Sequence, residues 1–151
     1  VTLAVCERED LAGQFWRPLA AQKAAIDEAF DILTQLRLAD VATRPTRTLS
    51  YGQKRLMEIA LALATRPKVL LLDEPAAGVP KDESAMLFSV IAALPADMSV
   101  LFIEHDMSLV FKFSSQIVVL VGGGVLLQAE PDVVRRDPRV REVYLGQAGY
   151  V

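Results

Sequence analysis

Apolar residues recur at helical spacing through residues 21–39 (AQKAAIDEAFDILTQLRLA), where Ile26, Phe30, Leu33 and Leu36 alternate with charged positions and predict a helix. A polar break over 40–48, holding Pro45, precedes a second helical pattern that starts at Ser50 and reaches about Ala64. Its apolar face is Leu56, Ile59, Ala60 and Leu63, and Pro67 stops it. The pattern then changes. Residues 68–72 are a short, uninterrupted apolar run, as expected of a strand buried on both faces in a parallel sheet. Residues 82–94 are helical again, 98–103 (MSVLFI) extended, 106–113 a short helix and 116–121 (QIVVLV) extended. Gly122, Gly123 and Gly124 turn the chain into a further strand at 125–128, making a hairpin, and 130–145 reads as mostly helical with Pro131 and Pro138 at helix starts. The alternation predicts an α/β fold with a parallel sheet and a helical piece ahead of it, the boundary falling near 66–68.

Composition narrows this picture. With 151 residues the chain has the size of one ordinary domain, and 52% of it is hydrophobic. No apolar stretch reaches the ~18–20 residues that span a bilayer, so the excess is core or a surface meant to be covered. The net charge of −3 gives no argument for nucleic acid as a partner. A single cysteine, Cys6, excludes an internal disulfide and fits a reducing compartment. The first residues lack the basic flank of a secretory signal and turn charged at Glu7; with no initiating Met, the chain is expected to begin inside a longer one.

Three short motifs carry candidate chemistry. Asp73 and Glu74 follow the apolar run at the carboxyl end of its strand, the edge where parallel α/β sheets bind ligands. One acid there can hold Mg²⁺ through water and the next can activate a water for in-line attack on a phosphate. A solvated loop after a strand would use the same residues. Leu49, Ser50, Tyr51, Gly52 and Gln53 open the second helix. Ser50 is a good N-cap and Gly52 lets a phosphate approach the backbone, although plain capping gives the same pattern. His105, the only histidine, follows the 98–103 strand and would reach the same edge if that strand lies beside the first; a structural role is the alternative.

Taken together, LSYGQKRLMEIALALATRPKVLLLDEPAAG followed by VLFIEHDM resembles the ATP-binding subunit of ATP-binding-cassette (ABC) transporters. LSYGQ looks like the family's signature, VLLLDE like its Walker B strand and His105 like its switch histidine. DEPAAG, IEHDM and the ending DPRVREVYLG resemble the subunits that power branched-chain amino acid importers. The resemblance covers most of the chain from about Leu33. It implies a partial RecA-like parallel sheet core preceded by an ABC-type helical subdomain: residues 1–66 helical, with the signature, 67–128 the C-terminal part of the core, and 129–151 a helical tail. It implies ATP and Mg²⁺ as cofactors, with Asp73 on the metal, Glu74 and His105 catalytic, and residues 49–53 on the nucleotide held by a second, head-to-tail subunit. The implied partners are that subunit and transmembrane permease subunits, at the cytoplasmic face of the membrane. Phe15 and Trp16 would lie where the family docks its transmembrane partner.

Two departures matter. The sequence contains no Gly-x-x-x-x-Gly-Lys-Ser/Thr, so the loop that cradles phosphates is absent. Residues 1–5 look like a family stretch found soon after the Q-loop glutamine, so a C-terminal fragment is expected, inactive alone, with buried-type sheet surface left exposed around 68–72 and 98–103 and therefore prone to self-association. Pro80 falls where the family's D-loop commonly ends in an acidic or amide residue that couples the two ATP sites; Asp82 could substitute if the loop shifts. The alternatives are a soluble ABC ATPase outside transport and a degenerate cassette kept for assembly. A RecA-like helicase would share the acid pair but has no reason for LSYGQ.

Overall fold

The computed structural model describes residues 1–11 and 18–145. The expected docking residues Phe15 and Trp16 lie outside the described residues. The chain divides into two compact units, Val1–Ile103 and Glu104–Val151, described separately below.

The first unit contains α1 (Thr2–Arg8), α2 (Lys23–Gln35), α3 (Tyr51–Leu63), β1 (Val69–Asp73), α4 (Lys81–Ala92) and β2 (Ser99–Ile103). β1 and β2 pair in parallel, with Leu71 opposite Leu101 and Asp73 opposite Ile103, as the strand–helix–strand pattern requires. Leu33, Leu36, Leu38, Leu56, Ile59, Leu70, Leu87 and Ile91 form its main core. Phe88 closes it edge-on against Phe102, ring centroids 5.0 Å apart.

α1 was not foreseen in the sequence. It is a seven-residue helix with no side-chain cap, too short to show a period or to stand alone. Its support is tertiary. Val5 and Cys6 pack on Ala25 and Ala29 of α2 and on Ala64 at the end of α3. Arg8 donates to both oxygens of Glu28 at 2.8 and 2.7 Å and to the Ala64 carbonyl at 2.6 Å.

That packing also rotates α2 away from the expected face. Leu33 and Leu36 are buried as anticipated, but Ile26 and Phe30 are 37% and 50% exposed. The helix carries two apolar stripes, and the alanine stripe wins because its small side chains let α1 approach closely. Nearby, Arg66 pairs with Glu28 at 3.0 Å and Arg55 with Glu58 at 2.7 Å.

β1 is not buried on both faces. Leu70 faces the core, while Val69 and Leu71 are 54% and 69% exposed, beside Leu101 at 59% and Ile103 at 62%. Among the described residues, helices cover only one side of this two-stranded sheet, so the apolar run that reads as doubly buried presents an uncovered face. The expected exposure around 68–72 and 98–103 is present.

The second unit contains α5 (Met107–Phe113), the antiparallel pair β3 (Ile117–Val121) and β4 (Gly124–Ala129), α6 (Pro131–Arg136), α7 (Pro138–Val140) and a final helical turn, Arg141–Leu145. Gly122 and Gly123 take φ of 57° and 81° in the two-residue hairpin loop, a turn closed to most side chains. Pro131 and Pro138 stand in first helical turns as expected. Val134 and Val140 are buried, and the Tyr144 hydroxyl donates to the Leu120 carbonyl at 2.7 Å. The segment up to Tyr144 therefore folds onto this unit's own hairpin.

Candidate functional site

The signature residues sit together at the start of α3. Leu49 is buried in the core and anchors the loop. Ser50 caps the helix: its Oγ accepts from the Gln53 N–H at 3.2 Å, and its own N–H donates to Gln53 Oε1 at 3.0 Å. This reciprocal capping box follows from the Ser-x-x-Gln spacing. Tyr51 points outward, 59% exposed, with the Lys54 ammonium 5.7 Å from its ring centroid.

Gly52 is buried, and its N–H donates to Glu83 Oε2 at 3.1 Å. The same oxygen accepts from the Ser50 hydroxyl at 2.8 Å. A Cβ at residue 52 would lie 2.6 Å from it, so glycine is what allows this approach. Glu83 is in the first turn of α4. Sequence reading missed it, because nothing local links positions 52 and 83; an acid in a helix's first turn is too common a signal.

The acid pair stands at the carboxyl end of β1. Asp73 is the last residue in the ladder and exposed. Glu74 has φ of 43°, a left-handed conformation that costs a side chain on the order of 1–2 kcal/mol. Its N–H donates to the Ile103 carbonyl at 3.0 Å, and its own carbonyl accepts from the Ala77 N–H at 2.9 Å. These bonds hold the turn. A groove of about 260 Å³ between α3 and β1 is lined by Arg55, Glu58, Ile59, Asp73 and Pro75 among others. Among the described residues the buried Arg55 Nε finds no hydrogen-bond partner.

Beyond the acids, Gly78 takes φ of 74°, with the Tyr51 ring 3.5 Å from where a Cβ would be. Pro80 is the N-cap residue of α4 and Asp82 lies exposed in its first turn. His105 belongs to the second unit, two residues past the end of β2 and just before Asp106, whose carboxylate caps α5 by accepting from Ser108 N–H at 2.9 Å.

Chemically, Asp73 can supply one hard oxygen to a cation. Among the described residues no group of three or more His, Cys, Asp or Glu side chains gathers into a metal cage. One carboxylate fits Mg²⁺, which takes few protein ligands and completes its octahedron with water and phosphate oxygens. Ser50 and Gly52 can donate to an oxyanion, and here they hold a carboxylate. No helix among the described residues is long and apolar enough to cross a membrane.

Comparison with known proteins bears on all of this. The chain matches the ABC transporter family over residues 4–77 and the branched-chain amino acid ATP-binding cassette transporter family over residues 127–150. It is 42% identical over 142 residues to the high-affinity branched-chain amino acid transport ATP-binding protein BraF of Pseudomonas aeruginosa, covering 91% of this chain and 56% of that protein. Against LivG of Escherichia coli (strain K12), also named a high-affinity branched-chain amino acid transport ATP-binding protein, identity is 40% over 130 residues, covering 85% and 51%. The chain thus spans about half the length of these curated relatives. Among solved structures, the ADP conformation of MJ1267, an ATP-binding cassette of an ABC transporter, superposes with a TM-score of 0.77 at 30% identity, covering 96% of this chain and 61% of that one. With the signature capping α3, the acid pair ending β1 and these relatives in agreement, the chain belongs to the ABC transporter family.

Proposed function

We propose that this chain is part of the ATPase subunit of a branched-chain amino acid importer, working at the cytoplasmic face of a membrane with a second ATP-binding subunit and permease subunits. Residues 1–66 serve as the helical subdomain, 67–128 as the C-terminal part of the catalytic core and 129–151 as a tail. The observation that carries the reading is the placement of Ser50 and Gly52 as donors at a helix start, in one unit with Asp73 and Glu74 at a strand end.

In this reading Ser50, Gly52 and Gln53, framed by Leu49 and Tyr51, contact the γ-phosphate of ATP held mainly by the opposite subunit. Asp73 would hold Mg²⁺, Glu74 takes a proton from the attacking water, and His105 donates to the γ-phosphate. Bound Mg²⁺ would neutralise charge building on the phosphate oxygens. The strained Glu74 backbone fits a base that must be aimed rather than merely exposed.

ATPase activity of the assembled transporter, compared between wild type and Glu74→Gln, tests this. Turnover should fall by at least about 100-fold with ATP binding retained. Undiminished turnover would remove Glu74 from the chemistry and favour the degenerate cassette.

The chain by itself is proposed to be inactive, since its sequence offers no phosphate-cradling loop to offset the charge of ATP against Asp73 and Glu74. It is also proposed to self-associate through the uncovered face at Val69, Leu71, Leu101 and Ile103. Light scattering should show species larger than a monomer that a Leu71→Lys, Leu101→Lys double variant disperses; a clean wild-type monomer at high concentration refutes it.

A further inference from the structure

We propose that Glu83 is an internal competitor for the phosphate: a latch whose carboxylate occupies the signature donors and has to leave before a phosphoryl oxygen can take them. The proposal rests on the reading of Ser50 and Gly52 as phosphate contacts and adds the regulation of that contact.

One oxygen, Glu83 Oε2, receives both the Ser50 hydroxyl at 2.8 Å and the Gly52 N–H at 3.1 Å. The hydroxyl has a single hydrogen. Because Ser50 Oγ already accepts from Gln53 N–H, that hydrogen is the one thing it can offer an anion, and Glu83 holds it. The side chain absent at Gly52 is what clears the path, since the carboxylate oxygen lies only 2.6 Å from where a Cβ would be. Of the residues assigned to the phosphate, Ser50 and Gly52 therefore have their donors occupied by a charge of the same sign. A phosphoryl oxygen and the carboxylate cannot share them, since two like charges at hydrogen-bond range repel strongly where water is partly excluded.

The latch can open without unfolding anything. Glu83 reaches the site from the first turn of α4, so rotation of its side chain frees the donors while both helices keep their backbone bonds. Its removal should thus raise the apparent affinity for an anion by the inverse of the fraction of time the donors are free. The acid is only one tie between α3 and α4, which also share the core of Leu56, Ile59, Leu87 and Ile91, so its departure would leave α4 in place.

The test is a phosphate titration of the full chain, wild type, Glu83→Gln and Glu83→Ala, following the Gly52 and Gln53 amides by ¹⁵N–¹H correlation spectra. Sodium chloride holds ionic strength constant. In both variants these two amides should move saturably, with half-saturation at a phosphate concentration at least about fivefold lower than in wild type. The isosteric Glu83→Gln variant removes the charge and weakens the hold on both donors while keeping the side chain's volume, should Glu83→Ala unfold. As a second readout, phosphate should raise the Tm of Glu83→Gln more than that of wild type. Equal responses in all three proteins, no response in any, or shifts spread evenly along α3 would each overturn the latch. Such a failure leaves the Glu74→Gln turnover test standing. Conversely, undiminished turnover there does not touch this result, which needs only inorganic phosphate.

Discussion

The two ends of α3 are both held by a charge of the sign that its dipole favours, but they are built differently. At the C-terminal end Arg8 donates to the Ala64 carbonyl while gripping Glu28 with two bonds, and Arg66 adds a second arm to Glu28. The side chains of Arg8 and Glu28 are only 16% and 26% exposed. At the N-terminal end a single carboxylate, Glu83, spans two donors. The first arrangement has redundant, mutually locking partners and is suited to be permanent. The second is one side chain on two donors that another anion could use. The same electrostatics thus serves as a bolt at one end and, in our proposal, as an exchangeable plug at the other.

The largest effect should come from breaking the bolt. Arg8→Ala strips Glu28 of its main partner and α1 of its tie to α3, and should cost about 2 kcal/mol in urea unfolding of the full chain. Glu83→Gln should cost half of that or less. Equal costs would erase the distinction between the two ends.

Acid should sharpen it next. The Arg8 hydrogen bonds hold the Glu28 carboxyl below its ordinary value of 4.5, with burial opposing and Arg66 assisting. A carboxyl depressed on folding gives stability that is fully present above the unfolded value and is lost as pH falls through the folded one. Wild type should therefore lose stability below about pH 4.5 more steeply than Glu28→Gln, read from Tm against pH; parallel acid limbs would count against the bolt.

A smaller effect isolates the plug. Gly52→Ala should displace Glu83 and cost about 1 kcal/mol alone, but almost nothing in a Glu83→Ala background. Additive costs would mean that Gly52 matters for some reason other than Glu83. The smallest effect is expected away from both ends. Arg37 follows α2 at φ of 58°, where Leu38 N–H reaches the Leu33 carbonyl at 2.7 Å. Arg37→Gly relieves that left-handed strain and should stabilise by about 0.5 kcal/mol, measurable in the same urea series.

Much of the fold is legible in local sequence. Ser50 and Gln53 announce the start of α3 because a capping box needs residues only three apart. The acid pair marks the end of β1, and Gly122 with Gly123 marks the hairpin, because each signal lies within one turn or strand. What escaped reading depends on distant partners. α1 exists because Arg8 and Val5 find residues twenty or more positions away, and the choice between two apolar stripes on α2 was made by α1. The apolar run of β1 did not itself show the exposed face, since such a run records what a strand is suited to be buried by, whereas its actual exposure depends on which elements are there to cover it.

The candidate site divides the same way. The sequence by itself determined the family, the signature, the acids and the histidine, since these are short strings whose chemistry needs fixed neighbours. Only the tertiary structure decided that Glu74 sits in a left-handed turn bonded to Ile103, and that Glu83 lies on Ser50 and Gly52. Both are meetings of segments about thirty residues apart. A hydrogen bond across such a separation leaves no spacing rule in the chain, because packing rather than local geometry brings its two ends together.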